Sequence, residues 1–94
     1  MRFQTGTTDI PIAGTRVQIS NTADKVKSIA IKARPTNAGN VFFGISDVAS
    51  TKAWTLQASG GIAIDFEDGS VAFSTFYVDA EVSGDDIDWA VILE

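Results

Sequence analysis

Ninety-four residues, 45% of them apolar and only 20% charged, suffice for one compact domain, and the composition excludes a disordered chain. Cysteine and histidine are both absent, which excludes disulfides, thiolate or imidazole metal sites and Ser-His or Cys-His nucleophilic chemistry. A net charge of −5 argues against binding nucleic acid through its phosphates, and no apolar run is long enough to span a bilayer.

Residues 1–13 are expected to form an extended arm or an edge strand, interrupted at Ile10-Pro11-Ile12 because proline has no N–H to give a central ladder. Residues 14–94 are expected to form one β domain. Gly14–Ser20 alternates with Val17 and Ile19 on one face, and Asn21–Asp24 is turn chemistry. Lys27–Ala33 places Ile29, Ile31 and Ala33 inward and Ser28, Ala30 and Lys32 outward. The loop Arg34–Asn40 carries three strong breakers, and Val41–Ile45 follows with Val41, Phe43 and Ile45 inward and Phe42 outward.

Ser46–Lys52 is a polar connection with room for one helical turn, and Ala53–Leu56 is a short strand. Ala58–Gly61 is a turn, after which Ile62, Ile64 and Phe66 share a face. Asp68-Gly69 is a hairpin-type dipeptide. A β-rich run from Val71 to Ala80 precedes a turn at Ser83-Gly84-Asp85. The last strand, Asp86–Leu93, aligns Ile87, Trp89, Val91 and Leu93 on the core side. Seven or eight short strands at regular spacing predict an all-β fold, a small antiparallel sandwich or jelly-roll-like barrel.

Without histidine or cysteine, only carboxylates could carry catalysis, and a chain this short has little material for a substrate cleft. No catalytic residue and no cofactor site is assigned. Asp85, Asp86 and Asp88 form an acidic cluster, a weak calcium candidate set against the solvated-turn role that aspartate ordinarily plays. The charge is unevenly spread along the chain. Residues 1–52 hold all seven basic groups and three acids, a net +4, and residues 53–94 hold nine acids and no base, a net −9. Either basic and acidic strands lie side by side in one subunit, or a basic flank meets a neighbour's acidic one; the first is favoured. Phe3, Ile10, Ile12, Phe42 and Trp54 are the apolar residues expected at a protein interface.

The stretch Lys27–Gly44, an alternating strand, an Ala-x-Pro-x-Asn-x-Gly-Asn loop and a strand ending in glycine, resembles a pattern in small structural proteins of tailed bacteriophages. The similarity runs over roughly residues 14–94, through Ser46-Asp47-Val48 and Phe76–Ala80, and departs from the pattern at Glu67–Phe73, where this chain is longer. The resemblance implies a non-enzymatic virion protein that decorates or cements the capsid. Its partners would be copies of itself, with a trimer favoured, and the major capsid protein or another virion protein, with assembly in the cytoplasm of a bacterial host. It carries no catalytic residues. A carbohydrate-binding or adhesion module, or a tail or baseplate component of the same fold, are the other functions the sequence accommodates.

Overall fold

The computed structural model describes residues 2–49, 51–66 and 71–94; the Asp68-Gly69 turn and its flanking residues lie outside this set. The described strands are β1 (Arg2–Asp9), β2 (Val17–Gln18), β3 (Lys25–Ala33), β4 (Val41–Gly44), β5 (Trp54–Leu56), β6 (Gly61–Asp65), β7 (Val71–Ala72), β8 (Tyr77–Ala80) and β9 (Asp86–Leu93), with a single 3-10 turn at Phe73–Thr75. They form two antiparallel sheets. One has the order β1-β9-β3-β6, with the short β7 alongside the start of β3, and the other has the order β2-β8-β4-β5.

The pairs β1–β9, β2–β8, β3–β6 and β4–β5 are nested, as if one long hairpin had been rolled so that its strands alternate between two layers. That is the jelly-roll form of a β-sandwich. Alternation along each strand then supplies the core. Ile29, Ile31 and Ala33 of β3 lie beside Val91, Trp89 and Ile87 of β9, and Ile62 and Ile64 of β6 continue the same rows. Opposite them, Val41, Phe43, Leu56, Val78 and Ala80 line the smaller sheet. A register shift between Val26 and Ser28 turns Val26 inward as well, although simple alternation from Ile29 would turn it out. Phe76 lies 5.7 Å from Phe43 and 5.9 Å from Phe66 in the middle of the sandwich, and Phe73 meets Trp89 edge to face at 5.2 Å.

Three expectations from alternation need correction. Phe42 does point away from the core cluster, yet it is buried, not an exposed interface aromatic. Loops cover the outer face of the small sheet there: Val48 is seated on Gly44, and Gly14 N–H donates to Asp79, the residue directly across from Phe42. Ile10 is fully buried in the main core. Its N–H donates to Asp85 O at 3.0 Å and its carbonyl accepts from Gly84 N–H at 2.9 Å, so the chain turns inward beneath the β8–β9 turn before Pro11. Ile45 is exposed because β4 ends at Gly44, one residue before the inward position.

The Ser46–Lys52 connection is not a helical turn. Val48 N–H donates to Ile45 O, and Ala49 and Lys52 exchange backbone bonds. The Gly14–Ser20 strand contracts to Val17–Gln18, and the run from Val71 divides into β7, the 3-10 turn and β8.

Candidate functional site

Asp85 lies just before β9 and is turned to different partners from Asp86 and Asp88, which share one face of β9 and both lie against Arg34. Asp85 is buried, and its two oxygens accept the backbone N–H groups of Ala38 (3.0 Å) and Gly39 (2.9 Å). Asp86 lies 3.4 Å from Arg34 Nη1, while Asp88 lies 3.7 Å from Arg34 Nε and accepts from Thr7 Oγ1 at 2.9 Å. Asn37 completes the arrangement. Its side-chain amide donates to Asp86 O (2.8 Å) and accepts from Asp86 N–H (3.0 Å), imitating a strand neighbour where the chain itself has looped away.

The group is therefore a clamp that fastens the Arg34–Asn40 loop to the start of β9. Among the described residues, no three acidic side chains converge as a cation site. Asp79, the other buried carboxylate, accepts from Gly14 N–H (2.9 Å) and Ala80 N–H (2.7 Å) and fastens the loop before β2 in the same manner.

These ties also bear on the uneven charge. Arg34 with Asp86 and Asp88 joins the basic first part of the chain to the acidic second part within one subunit, and Arg2 pairs with Asp24 at 3.0 Å inside the first part. Each pair is partly exposed and so contributes little to stability.

A shallow depression of about 750 Å³ lies on the outer face of the larger sheet. It follows from one row of small side chains, Thr5, Ala90, Ala30 and Ala63, which lie side by side across β1, β9, β3 and β6. Lys32 and Asp88 border it. Asp88 is held there by Thr7 and Arg34.

The remaining interface candidates are exposed but do not form one patch. Phe3 (69% exposed) stands on the outer face of β1, and Ile12 (60%) is in the loop that leaves it. Trp54 (60%) is on β5, at the opposite flank: β5 is joined by a short turn to β6, the strand farthest from β1 in the larger sheet. Alternation gives Trp54 an inward direction beside Phe43, but among the described residues no strand lies beyond β5.

The most unusual surface is β1 itself. It runs for eight residues at the end of its sheet and, among the described residues, pairs only with β9. Its inner-facing side chains, Arg2, Gln4, Gly6 and Thr8, are not covered by the smaller sheet. Trp89 reaches across instead: its indole lies over Gly6, and Nε1–H donates to Thr8 Oγ1 at 3.1 Å. The strand has neither proline nor lysine and pairs with β9 without a bulge; its charges, Arg2 and Asp9, stand only at its two ends, so the stretch between them carries little edge protection.

No family model matches the chain, and no curated protein matches it. Among solved structures it is similar to a protein of Bacillus endospore appendages, described as a novel family of disulfide-linked pili. The likeness covers 99% of this chain and 88% of the other, with 12% identity and a TM-score of 0.48. At that distance nothing about this chain follows from it.

Proposed function

We propose that this protein is a non-catalytic structural subunit that works by associating with copies of itself. The observation that carries the reading is the long outer strand β1, open along its edge and covered on its inner face by Trp89 rather than by the second sheet. Exposed Phe3, Ile12 and Trp54 add apolar surface on both flanks, as a subunit with several neighbours requires. The buried carboxylates support the same reading, since Asp79 and Asp85 are spent on holding loops.

The resemblance of Lys27–Gly44 to small phage structural proteins makes a virion the proposed setting, with the chain decorating or stabilising the capsid. Size-exclusion chromatography with light scattering tests self-association, and mass spectrometry of purified virions tests the setting. A protein that remains monomeric as its concentration is raised would remove the first. Absence of the chain from the virions of the phage that encodes it would remove the second.

A further inference from the structure

The backbone shows which atoms the open edge offers. Ile10 directs its N–H and carbonyl toward the β8–β9 turn, and Arg34 N–H donates to Asp86 O. In an antiparallel ladder, successive residues alternate between the two edges of a strand. Counting back from Ile10, residues Arg2, Gln4, Gly6 and Thr8 bond β9. Counting from Asp86, which bonds β3, gives the same assignment, because Ile87, Trp89, Val91 and Leu93 are then the β9 residues that bond β1. Phe3, Thr5, Thr7 and Asp9 therefore aim their N–H and carbonyl groups at the open side.

We propose that this edge pairs, antiparallel, with β1 of a second copy about a two-fold axis at Gly6, joining the two larger sheets into one. This rests on the self-association proposed above and names its geometry. A two-fold axis normal to the sheet keeps both copies' faces aligned, so opposed residues must share parity. Centring the axis on Gly6 sets Thr5 against Thr7 and Phe3 against Asp9, which engages all four outward-directed residues of each strand. Centring it on Thr5 leaves Asp9 beyond the described partners.

Charge favours the antiparallel sense. Asp9 lies directly across from Asp86 in the monomer, an unfavourable like-charge pair, and it makes no ion pair among the described residues. Antiparallel pairing keeps the two copies' Arg2 at opposite ends of the seam, and likewise their Asp9; Arg2, on the inner face and held by Asp24, makes no new pair with Asp9 on the outer face. Parallel pairing would set Arg2 against Arg2 and Asp9 against Asp9. The two-fold arrangement also closes, leaving neither β1 edge open.

The test is a proline scan read by light scattering, with hydrogen exchange as the second measurement. Thr5→Pro and Thr7→Pro remove N–H groups that point outward and leave the bonds to β9 in place, so each should keep the wild-type circular dichroism and raise the dimer dissociation constant about tenfold or more. Gln4→Pro removes an N–H directed at β9 and should unfold the edge. In the wild type, amides of Phe3, Thr5, Thr7 and Asp9 should gain exchange protection as concentration rises, while those of Gln4, Gly6 and Thr8 are protected throughout. An oligomer that survives both threonine substitutions, a trimer, or a chain that polymerises without limit would overturn the two-fold pairing while leaving self-association standing. A strict monomer would overturn both. Should a proline variant lose structure, concentration-independent exchange at Thr5 and Thr7 in the wild type is the overturning result.

Discussion

At the scale of single residues, Gly6 and Trp89 form one unit. A Cβ at position 6 would collide with Cζ2 of Trp89, so only glycine lets the indole lie across β1. The ring in turn covers backbone that the second sheet leaves bare. Gly6→Ala is expected to displace the indole and destabilise the protein by roughly 1–3 kcal/mol, the usual cost of overpacking. Trp89→Ala should cost about 3 kcal/mol, at the lower end for a large aromatic because its ring is only partly buried. In the Trp89→Ala background, Gly6→Ala should be close to neutral, since the clash has gone. A double-mutant cycle by urea denaturation measures this coupling; additive effects would show that the two residues do not depend on each other.

At the scale of elements, the loop between β3 and β4 is ordered by side chains imitating backbone. Asn37 supplies both halves of a ladder bond to Asp86, and Asp85 satisfies two adjacent N–H groups that would otherwise be lost as the chain turns. Asp85→Ala should cost roughly 1–3 kcal/mol through the unsatisfied donors it leaves. Amide exchange at Ala38 and Gly39 should quicken more than exchange in the β3 ladder, which separates a local loosening from general instability. For β4, Phe42→Ser is expected to lower stability by several kcal/mol, because it places a hydroxyl in a buried apolar site and leaves a void. An unchanged denaturation midpoint with altered oligomer mass would instead place Phe42 at a surface contact.

At the scale of the molecule, the first and last strands are neighbours: β1 pairs with β9 over its whole length, from Arg2 with Leu93 to Asp9 with Asp86. The nested pairing makes most contacts distant in sequence, so closing the chain costs entropy before any ladder forms. Refolding followed by tryptophan fluorescence should therefore take milliseconds to seconds, whereas a microsecond phase carrying the full amplitude would contradict this topology.

How much could be read from the chain follows from the same physics. Alternation gave the all-β class and the inward rows Ile29-Ile31-Ala33, Ile62-Ile64 and Ile87-Val91-Leu93, because a strand's side-chain period is local and burial of one face is a strong constraint. Turn residues marked the reversals near Ala58–Gly61 and Ser83–Asp85 for a similarly local reason, whereas Asn21–Asp24 passes without a turn beside Phe73 and Ser74. Alternation fails where burial depends on a segment far away in the chain. Phe42 is covered by loops on the sheet's outer face, and Ile10 is drawn under a turn some seventy-five residues later. The same holds for the acidic cluster, where Asp85 was legible as a turn residue but its partners Ala38 and Gly39 were not. For the candidate site, the sequence by itself marked residues 1–13 as extended and therefore as an arm or an edge. Only the tertiary structure decided that Arg2–Asp9 is the outermost strand of a jelly roll, with one side bonded to β9 and the other open, because strand order is set by which distant ladders close and not by any local pattern.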